Sequence, residues 1–163
     1  MPNNELLFES LHQEYRSMVL QMCLGFMKGD LDLAKDLSQQ VFINTWQALG
    51  RFKNASSYKT WIYRITVNTC LKYIRDKKDN LQVPMDDEHT VVSDDLNHVS
   101  TVKNQSLYTA IGRLGEVDRL IIMMILDELE YQEISSIVGI SEGNLRVKIH
   151  RIKKQLKKIL ENE

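Results

Sequence analysis

Proline restricts this chain most by its near absence. Pro2 and Pro84 are the only two in 163 residues. Residues 3–83 and 85–163 therefore each run without the one side chain that must interrupt a helix. Apolar residues recur at steps of three and four through most of both stretches. Strand-like alternation of useful length does not appear, so the expected class is all-α.

The first half reads as three helices. Leu7, Leu11, Tyr15, Met18, Met22 and Phe26 mark one face over residues 5–28. Lys28-Gly29-Asp30 supplies a stop followed by a capping residue. Leu37, Val41, Thr45, Ala48 and Leu49 form the buried side of residues 31–50, which Gly50 is expected to end. Residues 51–58 read as a loop, with Asn54, Ser56 and Ser57 as turn and cap formers. Tyr58, Trp61, Ile62, Ile65, Thr69 and Tyr73 then stripe a helix over residues 57–78. Short connections of this kind close three helices into one bundle.

Residues 79–103 change character. Asp79, Asp86, Asp87, Glu88, Asp94 and Asp95 are acidic, Lys103 is the lone cation, and apolar periodicity lapses around Pro84. This reads as a flexible acidic linker. Periodicity returns at Gln105 in four short stripes: Leu107, Ile111 and Leu114; Val117, Ile121, Met124 and Ile125; Tyr131, Ile134 and Val138; and, after a Ser141 cap, Leu145, Ile149, Ile152, Leu156 and Ile159. The expected architecture is two small helical domains, residues 1–78 and 104–163, joined by the linker. Each could bury only a modest core.

The formal net charge of -1 argues against a simple nucleic-acid binder, which would be basic overall. The cations are segregated, however. Residues 144–158 carry Arg146, Lys148, Arg151, Lys153, Lys154, Lys157 and Lys158 with no acid. They close the stretch YQEISSIVGISEGNLRVKIHR, residues 131–151, which has the helix-turn-helix pattern: a short helix, a turn at Gly139 and a capped second helix. Gly143, Val147, His150, Arg151 and Lys154 lie opposite the apolar stripe, flanked by Asn144, Arg146 and Lys148. Such a face suits a major groove. The plainer reading is a solvated basic face on a packed helix.

Residues 51–78 form a second basic segment, with Arg51, Lys53, Lys59, Arg64, Lys72, Arg75, Lys77 and Lys78 against Asp76. Phe52, Tyr58, Trp61, Tyr63 and Tyr73 are interleaved with them, a composition that suits single-stranded nucleic acid. Arg64, Asn68, Leu71, Arg75 and Lys78 share one helical face. Asn68 could read a base edge there while Arg64 and Arg75 hold phosphates. Tyr58 and Trp61 fall on the buried side and read as core.

Nothing in the sequence suggests a catalytic constellation, a cofactor or a metal site. His12, His89, His98 and His150 are scattered, and Cys23 and Cys70 read as packed thiols rather than nucleophiles. The chain is not expected to be an enzyme. No signal peptide or membrane-length apolar run appears, so a cytoplasmic chain without membrane insertion is expected.

Residues 32–75 resemble region 2 of the extracytoplasmic-function sigma factors, most tellingly in DLSQQVF, ALGRF and YKTWIYRITVN. Residues 107–160 resemble region 4 of the same family, with EYQEISSIVGISEGNLRVKIHRIKKQL as the signature stretch. The resemblance implies an RNA polymerase subunit that selects promoters and helps to melt them. It implies docking on core polymerase through Asp36, Gln39, Gln40 and Asn44, although Gln40 stands where relatives usually carry an acid. It implies minus-ten recognition of melted single-stranded DNA by Lys53, Asn54, Ser56, Ser57, Arg64, Asn68, Arg75 and Lys78. It implies minus-thirty-five recognition of duplex DNA by Ser141, Asn144, Arg146, Val147, Lys148, His150, Arg151 and Lys154. Val147 replaces a small polar residue common in relatives, and Gly115-Glu116 replaces prolines often found there. An anti-sigma factor is a further expected partner. The acidic linker resembles a segment that relatives thread through the polymerase cleft, either as a nucleic-acid mimic or as a passive tether. The alternative to the whole reading is a stand-alone helix-turn-helix regulator.

Overall fold

A computed structural model describes residues 3–79 and 102–162. Seven α-helices occupy them: α1 (Asn4–Phe26), α2 (Leu31–Ala48), α3 (Tyr58–Asp79), α4 (Val102–Gly112), α5 (Glu116–Leu126), α6 (Tyr131–Val138) and α7 (Glu142–Glu161). The described residues contain no strand.

Local chemistry sets the boundaries. Asp30 Oδ1 accepts the Leu33 amide at 3.1 Å, Ser57 Oγ that of Thr60 at 3.1 Å, and Ser141 Oγ that of Asn144 at 3.2 Å. Each side chain thereby satisfies one of the amides left over at a helix start. Between α1 and α2, Lys28 (φ 61°) and Gly29 (φ 86°) turn through the left-handed region, and the Gly29 amide returns to the Leu24 carbonyl at 2.8 Å.

Two expected boundaries are corrected. Gly50 does not stop α2, because the chain tightens into a 3-10 turn, Leu49–Arg51, pinned by the buried Leu49. Asp79, Val102 and Lys103, read as linker, are helical. Helices run past their apolar stripes where no residue stops them. The rest of the acidic segment, residues 80–101, lies outside the described residues.

The expected stripes are largely buried: Leu11, Met22 and Phe26 in α1, Leu37, Val41 and Thr45 in α2, Ile62 and Thr69 in α3, and Leu145, Ile149 and Ile152 in α7. Two helices are buried on more sides than periodicity indicates. Tyr63, Thr66, Val67 and Cys70 of α3 are buried beside Ile62 and Thr69. In α5 the run from Arg119 to Met124 is buried throughout. One arrangement explains both. α5 packs on α1 and α3, and α6 packs on α3, so the two helical units share a continuous core. Tyr63 is therefore not an exposed aromatic for stacking bases. It is fully buried, and its hydroxyl donates to Asp127 beyond α5.

Candidate nucleic-acid interface

The helix-turn-helix is built from α6, the three-residue span 139–141 and α7. Gly139 adopts φ 82° and ψ 31°, and its amide reaches the Ser135 carbonyl at 2.8 Å. Ser135 Oγ donates to the Ile140 carbonyl, closing the turn from the other side. Ser141 then starts α7. Ile134 and Ile137 of α6 and Leu145, Ile149 and Ile152 of α7 are buried, which fixes the roll of α7. Asn144, Arg146, Val147, His150, Arg151 and Lys154 are consequently exposed, and Val147 keeps 52% of its surface. An exposed apolar side chain at this position has the chemistry to contact a thymine methyl. Lys148 is set back from the others, with Nζ 3.0 Å from Asp118 Oδ1 of α5. The Arg146 guanidinium lies 5.6 Å from the Tyr131 ring centroid, which steadies it against α6.

The second basic face belongs to α3 and the loop before it. Lys53 and Asn54 are exposed, and Asn54 adopts φ 57°, a conformation asparagine tolerates. Phe52 stacks on Tyr58 at 4.6 Å and lies 4.7 Å from Trp61. These rings anchor the loop to α3, and Tyr58 and Trp61 pack on the core as expected. Ser56 and Ser57 are in the same loop, with Ser57 committed to capping. Asn68 and Arg75 are exposed on α3. Arg64 and Lys78 share their face but reach the other helical unit. Arg64 Nη2 donates to Ser136 Oγ on α6, and Lys78 Nζ lies 3.0 Å from Glu116 Oε1 on α5.

The four candidate docking residues divide. Asp36 and Gln39 are exposed on α2. Gln40 donates to Asn44 Oδ1 at 3.0 Å, and Asn44 Nδ2 donates to Thr69 Oγ1 at 3.0 Å. Asn44 thus ties α2 to α3. Asp36, Gln40 and Asn44 line a groove of about 560 Å³ with Lys72, Tyr73 and Asp76. Beside it, Ile43 and Trp46 are 49% and 45% exposed, and Trp46 meets Phe8 edge-on at 5.4 Å. Sequence reading missed this apolar patch. Its signal was Ile43 and Trp46 falling three apart, off the buried stripe of α2.

Sequence reading also missed Arg119, a single cation within VDRLIIMMIL. It is only 6% exposed. Its Nε donates to the Phe26 carbonyl at 3.0 Å and its Nη1 to the Leu114 carbonyl at 2.7 Å, with the guanidinium 5.1 Å from the Phe26 ring. Burial lowers its pKa from the usual arginine value. Cys23 and Cys70 are buried, and the Cys70 thiol is held well above its ordinary pKa by its hydrogen bond with Cys23 and then by burial. Among the described residues no group of three or more His, Cys, Asp or Glu side chains could hold a metal ion. No described helix is long and apolar enough to cross a membrane.

Residues 11–79 match the family described as Sigma-70 region 2, and residues 99–156 match Sigma-70, region 4. The chain is 30% identical over 156 residues to the RNA polymerase sigma factor YlaC of Bacillus subtilis, covering 92% of this chain and 90% of that one. It is 27% identical over 166 residues to the ECF RNA polymerase sigma factor SigW of the same organism, covering 94% and 88%. Its fold matches that of the sigma factor RpoE from Bartonella quintana, solved in complex with the anti-sigma factor NepR. That match has a TM-score of 0.78 at 18% identity and covers 94% of this chain and 96% of that one. Two cationic helical faces in this order, matched over nearly the whole length, have one reading: the chain belongs to the extracytoplasmic-function sigma factors of RNA polymerase.

Proposed function

We propose that the chain directs core RNA polymerase to its promoters with a division of labour between its two basic faces. α7 reads the minus-thirty-five element as duplex. Asn144, Val147 and Arg151 face the base edges, while Arg146, His150 and Lys154 hold phosphates. α3 and its loop take the minus-ten element once melted. Lys53 and Asn54 flank a captured base, Asn68 reads it, and Arg64, Arg75 and Lys78 neutralise the strand. Asp36 and Gln39 on α2 meet the polymerase. Asn44 acts from behind by fixing α2 on α3.

The observation that carries this reading is the exposure of the α7 face on a capped, left-handed turn. It leaves Val147, His150, Arg151 and Lys154 exposed while the apolar stripe is buried. Promoter opening on this scheme needs binding energy and no bond chemistry from the chain. Unstacking a base takes a few kcal/mol, which pocket and phosphate contacts must offset. The working compartment is the cytoplasm, where the polymerase and promoters are. An anti-sigma protein is a further proposed partner, supported by the complex of the Bartonella relative.

The test is reconstitution with core polymerase and sequencing of transcript starts. Defined start sites that need the chain are expected, and their absence refutes the assignment. A stand-alone regulator would instead footprint duplex DNA without polymerase.

A further inference from the structure

We propose that Val147 reads the pyrimidine of one minus-thirty-five base pair by its C5-methyl group, so that α7 favours thymine or 5-methylcytosine there over uracil or unmodified cytosine. This rests on the reading of α7 as the duplex reader given above.

The roll of α7 selects the reading row. Leu145, Ile149 and Ile152 are buried, while Asn144, Val147 and Arg151 are exposed. Steps of three and four put those three on one ridge. From Asn144 to Arg151 the ridge rises about 10 Å, which is roughly three base-pair steps. Val147 is its middle member. One exposed apolar residue means little by itself, since such residues are common. Its neighbours in sequence give this one its place. Arg146 is held towards α6, with its guanidinium 5.6 Å from the Tyr131 ring centroid. Lys148 is drawn towards α5, with Nζ 3.0 Å from Asp118 Oδ1. Both adjacent cations are thus engaged by other helices, and Val147 keeps 52% of its surface. Before Leu160 in its last turn, α7 has no other exposed large apolar side chain.

The chemistry of valine then selects the base. It carries no donor and no acceptor. In the major groove guanine, adenine and cytosine present polar groups, and thymine alone adds an apolar one, its C5-methyl. Valine docked on a polar edge would expel water and leave that group unpaired, which is costly. Against the methyl it buries apolar surface on both sides. Valine is also stiff at χ1 in a helix, so its own methyls are fixed with the backbone. Cytosine methylated at C5 presents the same group at the same place. A reader without hydrogen bonds does not tell the two apart, so promoter choice by this chain responds to cytosine methylation at that pair.

The experiment changes single methyl groups in the DNA. Holoenzyme made from core polymerase and the full chain is bound, in competition, to duplexes carrying a mapped promoter. Each thymine of the minus-thirty-five element, on either strand, is replaced in turn by uracil. This removes one methyl and keeps every hydrogen-bonding group. At the responsive pair, a cytosine duplex is then compared with its 5-methylcytosine counterpart. Loss of the methyl should weaken binding about fourfold at one position, the ratio expected for one buried methyl-sized group. Methylating the cytosine should strengthen binding by a similar factor. Val147→Ser, a change of little consequence for helix propensity, should abolish both effects. The proposal is overturned if no uracil weakens binding, if the element holds no A·T pair on which binding depends, or if methylated and unmethylated cytosine bind alike. Methyl effects that persist in Val147→Ser also overturn it. A scrambled minus-thirty-five element reads the underlying assignment separately. If scrambling weakens binding and the methyl changes do not, only the role of Val147 fails; if scrambling has no effect, the assignment of α7 fails first.

Discussion

Gly139→Ala isolates one backbone conformation. Gly139 ends α6 at φ 82° and ψ 31°, and a Cβ built there meets nothing within 4 Å. No clash contributes, so the loss is conformational. Holding a residue with a Cβ in the left-handed region costs about 1–2 kcal/mol. Alanine also restricts the unfolded chain, which returns about 0.4–1 kcal/mol in the other direction. The net expectation is a destabilisation of about 1 kcal/mol, and Gly139→Asn should lose less because asparagine visits this region. The melting shift then reports on cooperativity. If both helical units unfold together, about 1 kcal/mol lowers Tm by about 2–4 °C, as for a domain of more than 150 residues; a unit of about 60 residues melting alone would lose about 4–8 °C. Circular dichroism melts with parallel urea titrations measure both. The shared core through α1, α3, α5 and α6 favours the smaller shift in a single transition. A raised Tm would refute the left-handed turn, and two separated transitions would refute the shared core.

Ser141→Ala removes the oxygen that accepts the Asn144 amide and should cost about 0.5–2 kcal/mol, read by the same urea titrations. Stability should fall as pH rises through and beyond the ordinary thiol and tyrosine range. Cys70 is raised by its hydrogen bond with Cys23 and by burial, and Tyr108 is raised by burial. Each therefore favours the folded state below its unfolded pKa and loses that contribution as pH climbs through its folded one. Cys70→Ala should flatten the slope of stability against pH above about pH 8.5, whatever it does to stability at neutral pH. Arg151→Ala should weaken initiation at promoters with an intact minus-thirty-five element by about 1–3 kcal/mol, checked by run-off transcription on matched and mutated templates. Asn68→Ala should lower discrimination at one minus-ten position in a start-site competition, with little change in Tm because the side chain is exposed.

The all-α class, the helix-turn-helix and the capping sites are legible because each rests on local chemistry. Gly139, Ser141, Asp30 and the apolar steps around them act within a few residues. What periodicity reports is which face of a helix is apolar, not how many partners that helix has. Tyr63 shows the gap: its ring lies off the Ile62–Ile65–Thr69 stripe, so the sequence suggests a base-stacking aromatic. It is buried because helices more than fifty residues away in the chain close over it. Arg119 is the reverse case. One cation in an apolar run carries a signal, but of its two carbonyl partners only Leu114 is near in sequence; the other, Phe26, ends a helix of the other unit that no spacing rule connects to it. Ile43 and Trp46 lie off the buried stripe of α2, but an off-stripe apolar residue carries little signal in a sequence because surface apolar side chains are common.

The charge balance of the chain takes on meaning in this arrangement. With 21 cations against 22 acids, the chain cannot hold DNA by its overall field. Its affinity must come from local clusters, and a local cluster is effective only while no acid of the same chain occupies it. The chain's own acids occupy part of them: Glu116 pairs with Lys78 and Asp118 with Lys148, both at 3.0 Å. These two pairings differ in kind. Asp118 and Lys148 belong to neighbouring helices α5 and α7, so that cation stays engaged whatever the two units do. Glu116 on α5 and Lys78 on α3 belong to different helical units, so their pairing runs across the shared core rather than within one unit.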